Sequence, residues 1–341
     1  MPIADFDQYC QMLTSARAGK YAYPAINVSN LETLTGAIEA FAEAESDGII
    51  QASTGAGQHA SGGLKDMVLG SKILAEAAHQ IADKYNVLIA LHTDHCHPKN
   101  LAPFMDPLIQ ISKDRVAAGQ KPLFNSHMFD GSELDLAENL EVSVKYMKEL
   151  AALNMILEVE IGVVGGEEDG HDTSGVAKEK LYTTPGDMVA TYEALQPLGK
   201  YMLAATFGNV HGVYKPGNVQ LTPEILKNGQ TAVQEKHSTE DNPLFLVFHG
   251  GSGSPKDQIA ETLDYGVIKM NVDTDTQYAF TVPVAKHILE HKDVLFHTED
   301  QVAEKKRYDP RKYLALGRIG IKDRVIEAVK DLNAEGKTLL K

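Results

Sequence analysis

Residues 87–95 read VLIALHTDH, an apolar run of strand length that ends in side chains able to do chemistry. Such runs are typical of strands buried in a parallel sheet. Seven other segments share this form, being short, often β-branched, and followed by polar or Gly-rich residues. The eight predicted strands are Tyr21–Val28, Gly48–Ser53, Val87–Thr93, Leu123–Met128, Met155–Ile161, Tyr201–Thr206, Leu244–Phe248 and Val267–Val272.

Helical patterns separate these strands, and two of them carry a start signal. Thr184-Pro185 and Thr222-Pro223 each predict Pro at the first helical position. Eight strands that alternate with helices predict an α/β fold, a (β/α)8 TIM barrel. The alternative is an open doubly wound sheet, and its dinucleotide-binding form is disfavoured because no G-x-G-x-x-G follows the first strand. The predicted helices are Leu31–Glu45, Lys65–Tyr85, Leu136–Leu153, Pro185–Leu195, Pro223–His237 and Asp257–Tyr265.

The C-terminal part of the chain has a different pattern. Asn271–Lys286 and Ile321–Gly336 look helical, whereas Glu290–Tyr313 is charged and irregular. Because no linker is visible, we predict a single domain over residues 1–341, with 275–341 as a helical extension that serves oligomerisation. The Gly-rich stretch Ile161–Gly175 shows no regular pattern, and a long loop inside a compact domain is usually functional or disordered.

Composition limits the functional classes. A formal net charge of -15 disfavours nucleic acid and anionic membranes as partners. The N-terminus lacks the basic and apolar segments of a signal peptide, and no apolar run is long enough to span a bilayer. Cys10 and Cys96 are the only cysteines, which argues against a disulfide framework. We therefore expect a cytoplasmic protein without nucleic-acid or membrane partners.

Polar side chains follow the predicted strands, at the end of the barrel where active sites of this fold lie. Three of them, His95, His211 and His249, come just after the third, sixth and seventh strands. Three neutral imidazoles that leave a fourth position open are the ligand pattern of catalytic zinc. The other polar residues at strand ends are Ser53, Asp94, Asp130, Glu160, Asn271 and Asp273.

The register of the third strand limits how Asp94 and His95 can cooperate. On a regular strand, residues 92 and 94 share a face and residue 95 points away. Asp94 and His95 can therefore serve one site only if the strand ends there. His92, His97 and His127 are alternative ligands nearby.

Two Gly-rich turns and one acidic loop complete the candidate site. The turns His211-Gly212 and 249–254 follow strands, and small residues let backbone N–H groups approach an anion such as a phosphate. Lys215 is a candidate charge partner for that anion. In the loop 165–170, GGEEDG, carboxylates flanked by glycines suit a general base on a mobile lid.

These residues lie in longer segments that resemble class II fructose-bisphosphate aldolases, and the resemblance covers nearly the whole chain. The segments are TDH at 93–95, NSHM at 125–128, EVEIG at 158–162, GGEEDG at 165–170, FGNVHGVYKPGN at 207–218, FHGGSGS at 248–254, KMNVDTDTQ at 269–277 and YDPR at 308–311. The resemblance implies a TIM barrel that acts as a homodimer or homotetramer. It also implies reversible zinc-dependent cleavage of fructose 1,6-bisphosphate to dihydroxyacetone phosphate and glyceraldehyde 3-phosphate, in glycolysis and gluconeogenesis.

The resemblance also implies roles for individual residues. Catalytic Zn²⁺ would lie on His95, His211 and His249. A second position, for another metal ion or a monovalent cation, would lie near Asp130 and Glu160. Asp94 would be the acid–base group on the aldehyde oxygen, and Glu168 would exchange the proton of dihydroxyacetone phosphate. That ketone would be bound by Gly212, Gly250, Gly251, Ser252, Asn271, Val272, Asp273 and Thr274, and the glyceraldehyde 3-phosphate end by Ser53 and Arg311.

Several alternatives stay open at the level of sequence. Fructose and tagatose bisphosphates are epimers, so a tagatose-bisphosphate aldolase is one alternative, and a zinc-dependent phosphosugar hydrolase is another. A Schiff-base aldolase would use Lys269, which shows no desolvated or cationic setting in the sequence. A non-catalytic phosphosugar- or metal-binding barrel would share the fold. The native metal, Zn²⁺ or Co²⁺, is likewise open.

Overall fold

All eight predicted strands form, and they pair in parallel into a closed barrel, which confirms the predicted fold. The computed structural model describes residues 2–162, 165–168, 171–172, 182–211, 221–295 and 304–340, with only the backbone described for 165–168, 171–172 and 210–211. The strands are β1 Tyr23–Asn27, β2 Gly48–Ala52, β3 Ile89–Cys96, β4 Ser126–Asp130, β5 Ile156–Ile161, β6 Gly165–Glu168, β7 His171–Asp172, β8 Tyr201–Ala205, β9 Val210–His211, β10 Leu246–Phe248 and β11 Val267–Val272. The barrel order is β1-β2-β3-β4-β5-β8-β10-β11, and β11 pairs with β1, while β6, β7 and β9 form a small separate sheet.

The helices follow the strands, and one of the two predicted helix starts is found where the sequence placed it. Helix α7, Pro185–Leu195, is capped by Thr184 and has Pro185 at its first position. Helix α8, Glu224–His237, begins one residue after Pro223, so this proline precedes the helix. The helices are α1 Phe6–Gly19, α2 Leu31–Glu43, α3 Thr54–Ala60, α4 Met67–Ala82, α5 Asp106–Ala117, α6 Leu136–Ala151, α7 Pro185–Leu195, α8 Glu224–His237, α9 Lys256–Asp264, α10 Thr274–Glu290, α11 Lys292–Leu295, α12 Lys305–Tyr308 and α13 Pro310–Asp331.

Three features of the fold differ from the sequence interpretation. The sequence did not identify α1, α3 or α5. The Gly-rich stretch 161–175 was expected to lack regular structure, yet β6 and β7 form within it and pair antiparallel. In the tail, α13 begins at Pro310, eleven residues before the predicted start at Ile321, because Asp309 caps it and Pro310 fits a first turn.

The C-terminal helices pack on the barrel shell. Arg318 and Lys322 of α13 form ion pairs with Glu39 and Glu43 of α2, at 2.5 and 2.8 Å. α13 approaches α2 closely at Gly36, where an added Cβ would lie 2.7 Å from the backbone oxygen of Arg318. The extension is therefore docked on the first helix after β1. Within the described residues, no helix is long and apolar enough to cross a membrane.

A close contact between two glycines sets the position of α3, the helix that starts directly after β2. A Cβ added to Gly70 on α4 would lie 1.8 Å from the backbone oxygen of Gly57 on α3. The contacting atom belongs to the backbone, so a side chain at Gly70 can fit only if the helices separate. Ser53, which caps α3, depends on this packing for its position.

We expect Gly70→Ala to destabilise the protein by about 1–3 kcal/mol, the usual cost of overpacking. Gly63→Ala is the matched control, because an added Cβ at Gly63 meets nothing within 4 Å. Urea unfolding of both variants measures the difference in free energy of unfolding. Equal stabilities of Gly70→Ala and Gly63→Ala would contradict this packing.

Candidate active site

The third strand places two consecutive residues in one site by means of a bulge. β3 pairs with β4 in one register up to Thr93 and in a shifted register at Cys96. Between them, His95 has a φ of 39°, a left-handed conformation that is uncommon for a non-glycine residue. The break in alternation brings ligand atoms of Asp94 and His95 together although the strand continues through them. The expectation that Asp94 and His95 can serve one site only if the strand ends there is therefore wrong.

His95 lies against carboxylates from the next two strands. Its Nδ1 atom is 2.9 Å from Asp130 Oδ2 and 3.6 Å from Glu160 Oε2. One ligand atom from each of these three residues lies within 4.8 Å of the others. Burial alone would raise the pKa of Asp130, but the hydrogen bond from His95 and the nearby His97 lower it below its ordinary value. Asp130 is thus a buried, ionised carboxylate that favours a nearby cation.

His249, the residue after β10, joins the same cluster from the opposite side. Its Nδ1 atom is 3.0 Å from Glu160 Oε2, and its Nε2 atom is 2.8 Å from Glu158 Oε1. Its ring centroid is 4.7 Å from that of His95. Burial would lower the pKa of His249, but Glu160 and Glu158 outweigh burial and raise it to about 9. A ligating imidazole must be deprotonated, so a cation at His249 would compete with this proton.

Asp94 is fully buried and held by three side-chain amides. Asn27 Nδ2 and Gln51 Nε2 each donate to its Oδ2 atom at 3.0 Å. Asn271 Nδ2 donates to its Oδ1 atom at 3.1 Å. The sequence interpretation missed Asn27 and Gln51 as site residues. Their signal was available, since both lie at or near the C-terminal ends of their strands.

Next to His249 lies a buried network centred on Glu158, which the sequence interpretation also missed. Lys269 Nζ is 3.0 Å from Glu158 Oε2, and His92 Nε2 is 3.3 Å from the same oxygen. Burial opposes ionisation of Glu158, but Lys269, His92 and His249 lower its pKa well below the ordinary range. His92, whose Nδ1 atom is 2.7 Å from Ser126 Oγ, has its pKa lowered well below the usual value by burial and by Lys269. The alternating pair Glu158 and Glu160 on β5 was the sequence signal for this network.

The donor set fits a divalent cation. Of the described lysines and arginines, only Lys269 is buried, whereas four carboxyl groups are buried around it and the two histidines. Uncompensated buried charge is costly, so this excess of acidic groups favours a bound metal ion. Imidazole and carboxylate together suit zinc and other first-row divalent ions. The four carboxyl groups belong to Asp94, Asp130, Glu158 and Glu160.

The Gly-rich turn after β10 lies beside the start of α10. Gly250 and Gly253 have φ values of 63° and 78°, which glycine adopts without strain. Ser252 is buried, and its Oγ accepts a hydrogen bond from the backbone N–H of Asp275 at 3.5 Å. A helix N-terminus with such a turn beside it favours an anion.

The end of β11 leads directly into the same helix. Val272 is the last residue of β11, Asp273 is the N-cap of α10, and Thr274 is its first residue. Gly251 packs against Met270, since an added Cβ would lie 2.7 Å from its side chain. The structure therefore brings together the described residues that were predicted to bind phosphate. They come from the Gly250–Ser252 turn and the Asn271–Thr274 segment.

The described side-chain contacts of two predicted substrate-binding residues are local. Ser53 is buried at the end of β2, and its Oγ accepts from the backbone N–H of Ala56 at 3.2 Å. The side chain of Arg311 is 84% exposed, and its guanidinium pairs with Asp309 at 2.7 Å. The described contacts of Arg311 thus join it to its own helix cap and not to the strand ends.

Four predicted site residues cannot be placed by their side chains. Gly212 and Lys215 lie outside the described residues, and only the backbone of Glu168 and His211 is described. That backbone still carries information, because β6 pairs with β9 and Gly166 lies opposite His211. The acidic segment therefore runs alongside the strand that contains the predicted third histidine ligand.

Comparisons with known proteins agree with this geometry. Residues 7–337 match the family model described as fructose-bisphosphate aldolase class-II. The chain is 53% identical to the fructose-bisphosphate aldolase of Mycobacterium leprae over 99% of both chains. It is 50% identical to that of Corynebacterium glutamicum over the full length of both. Among solved structures, a fructose-bisphosphate aldolase from Campylobacter jejuni matches with a TM-score of 0.88 and 41% identity, over 98% of this chain and 97% of that one.

We expect His249→Ala to weaken Zn²⁺ binding by more than about 100-fold. Loss of a residue that only supports a metal ligand weakens binding by up to about 100-fold, and this variant removes a proposed ligand itself. The barrel should still fold, since its strands pack without the metal, and far-ultraviolet circular dichroism checks this. His237→Ala, at the end of α8, is the control and should bind Zn²⁺ like the unaltered protein. Equal Zn²⁺ affinities in the two variants, titrated against a chelating dye, would rule out His249 as a ligand.

Proposed function

The chain belongs to the class II fructose-bisphosphate aldolase family, and from that membership we propose how its residues cleave fructose 1,6-bisphosphate. The protein is therefore an aldolase, an enzyme of the lyase class. The proposed reaction yields dihydroxyacetone phosphate and glyceraldehyde 3-phosphate reversibly, as a step of glycolysis and gluconeogenesis. The observation that carries the proposal is the grouping of Asp94, His95 and His249, whose ligand atoms lie within 4.8 Å of one another.

His95, His211 and His249 would hold the catalytic Zn²⁺, and Asp130 with Glu160 would form a second cation position. When bound, zinc supplies Lewis-acid stabilisation of the negative charge that develops on the ketone oxygen. The buried carboxylates support this assignment because they provide the electrostatic preference for a cation. The close approach of Glu160 to both His95 and His249 supports two adjacent cation positions that share ligands.

Asp94 would transfer the proton at the oxygen that becomes the aldehyde. Three side-chain amides donate hydrogen bonds to its carboxylate and fix its position. Because amides are neutral and do not accept a proton, they leave the carboxylate free to take up and release one. General acid–base groups need this kind of fixed geometry at hydrogen-bonding distance from the reacting atom. Asp94 lies beside His95, which supports proton transfer next to the metal.

Glu168 would remove and return the proton on the carbon beside the ketone of dihydroxyacetone phosphate. The pairing of β6 with β9 supports this role, because it holds the acidic segment alongside the strand of His211. Glu168 is the last residue of β6, two residues beyond the Gly166–His211 pair. Neighbouring glycines give this segment the freedom to close over a substrate.

The two phosphates would be bound at separate places. The turn residues Gly212, Gly250, Gly251 and Ser252, with the Asn271–Thr274 segment, would bind dihydroxyacetone phosphate at the N-terminus of α10, where backbone N–H groups favour anions. Lys215 would add a positive charge to this phosphate-binding site. Ser53 and Arg311 would serve the glyceraldehyde 3-phosphate end. The exposed guanidinium of Arg311 is suited to bidentate phosphate recognition, from its own or a neighbouring subunit.

Residues 1–341 would form one domain whose C-terminal extension makes subunit contacts in a homodimer or homotetramer. The ion pairs between α13 and α2 support the single domain. Exposed apolar side chains on the extension support the subunit contacts, since Tyr278 and Leu289 of α10 are 72% and 68% exposed.

A metal-dependent mechanism predicts that a chelator abolishes cleavage and that added Zn²⁺ restores it. Borohydride with dihydroxyacetone phosphate should not inactivate the enzyme, because Lys269 Nζ is engaged by Glu158 and Asn271 and is not open to a substrate carbonyl. The assay follows triose phosphates formed from fructose and from tagatose bisphosphates. Irreversible inactivation by borohydride would establish a Schiff base, and release of free phosphate would establish a hydrolase.

Glu168→Ala should lower turnover by about 10²–10⁴-fold, the usual scale for loss of a general base. Zn²⁺ content should stay unchanged, because no metal ligand is removed in this assignment. Glu167→Ala is the matched control and should keep its rate. Exchange of the ketone-carbon proton in deuterated water isolates the step from cleavage, and wild-type exchange by Glu168→Ala would place the base elsewhere.

A further inference from the structure

One buried lysine connects the metal ligands to the acid–base group. Lys269 Nζ lies 3.0 Å from Glu158 Oε2 and 3.2 Å from Glu158 Oε1. It also donates to Asn271 Oδ1 at 2.7 Å. Lys269 and Glu158 are both fully buried, so their contacts are not loosened by solvent. The mechanism above assigns no proton transfer or substrate contact to either residue.

On the metal side, Glu158 orients His249. Glu158 Oε1 is 2.8 Å from His249 Nε2, and an ionised carboxylate only accepts, so Nε2 must carry the hydrogen. The Nδ1 atom is then directed at Glu160 and at the group formed with Asp94 and His95. A carboxylate that accepts from the second ring nitrogen fixes both the tautomer and the ring plane of a metal-ligating histidine.

On the acid–base side, Lys269 orients Asn271. An ammonium group has donors and no acceptor, so it selects the Oδ1 atom of the amide. The Nδ2 atom must then point the other way, where it donates to Asp94 Oδ1 at 3.1 Å. With the amide reversed, Asn271 would present its oxygen to the Asp94 carboxylate, and the two acceptors would repel. Lys269 therefore determines which way this amide faces.

Pairing with Lys269 also gives Glu158 a different role from the other buried carboxylates. Lys269 occupies the region around both Glu158 oxygens, and His92 Nε2 lies 3.3 Å from Oε2. Glu158 is thereby kept as an acceptor for His249 and is not offered as a further metal ligand. A buried carboxylate without such a cation would carry a large desolvation cost.

We propose that Lys269 and Glu158 are a positioning pair that orients the metal ligand His249 and the acid–base residue Asp94 together. This inference rests on the proposed function, because it takes His249 as a zinc ligand and Asp94 as the proton-transfer group. Both members are fully buried, and neither is assigned a substrate contact in the proposed function. The pair deepens the proposed mechanism by coupling metal binding to proton transfer through one buried ammonium group.

The test measures Zn²⁺ affinity directly, by competition with a chelating dye on chelator-treated full-length protein. Glu158→Gln keeps the shape of the side chain and removes its charge. We expect it to bind Zn²⁺ about 10- to 100-fold more weakly, the scale for loss of an outer partner of a metal ligand. Lys269→Met alone leaves Glu158 as an unpaired buried charge. The double variant Glu158→Gln/Lys269→Met removes both charges and gives a result even if Lys269→Met does not fold.

Kinetics at saturating Zn²⁺ test the second half of the pair. The double variant should lose a further factor of about 10 or more in kcat relative to Glu158→Gln, because Asn271 is no longer oriented against Asp94. In Co²⁺-substituted protein, Glu158→Gln should alter the visible ligand-field absorption, since the His249 ring plane is released. A purely structural role would leave that spectrum unchanged.

Tyr23→Phe is the matched control for disturbance of the barrel interior. The Tyr23 hydroxyl is buried in β1 and lies 3.2 Å from the Tyr21 hydroxyl, a hydrogen bond outside the Glu158 network. This variant should bind Zn²⁺ with wild-type affinity. Wild-type Zn²⁺ affinity and kcat in the double variant, or an equal loss in Tyr23→Phe, would overturn the positioning role alone. Failure of the unaltered protein to bind Zn²⁺ would overturn the proposed function as well.

Discussion

Buried negative charge at the C-terminal end of the barrel is the constraint on which the site depends. Four carboxyl groups are withdrawn from water there, and one lysine is buried among them. Such an excess is unfavourable in a medium of low polarity unless cations or donors compensate it. Three kinds of neighbour compensate the charge. Lys269 pairs with Glu158, and three amides donate to Asp94. The two carboxylates around His249 raise the pKa of this histidine to about 9. In the proposed function a divalent ion would complete the compensation, so metal binding and the stability of the site would have one physical origin.

This arrangement requires a strained backbone conformation at His95 in β3. A non-glycine residue at a φ of 39° stores strain of about 1–3 kcal/mol, and such strain persists only where the surroundings fix it. The surroundings of His95 are the carboxylates of Asp130 and Glu160, which hold its ring. In return, two residues that would alternate across a regular strand serve one site. Asp94, the proposed proton-transfer group, and His95, a proposed metal ligand, are thereby adjacent in the chain and in space.

The sequence predicted the barrel because buried parallel strands are continuous apolar runs, and it placed the reactive side chains at their ends because the fold does so. It did not reveal the bulge at His95, since a register shift depends on pairing with β4 and not on local preference. Lys269 appeared unremarkable because its burial results from Glu158, 111 residues away in the chain. Asn27 and Gln51 were overlooked although both lie at or near strand ends, because the position of a single amide does not reveal that it contacts Asp94. The side-chain positions of Glu168 and His211 stay predictions.

We propose that the buried carboxylates and the strand-end histidines form one cation site. Anomalous diffraction from crystals of the zinc-loaded protein, recorded on both sides of the zinc absorption edge, would locate the ion. We expect a zinc peak within coordination distance of His95 and His249, at the end of the barrel where Asp94 is buried. A peak elsewhere on the protein, or none at saturating zinc, would contradict it.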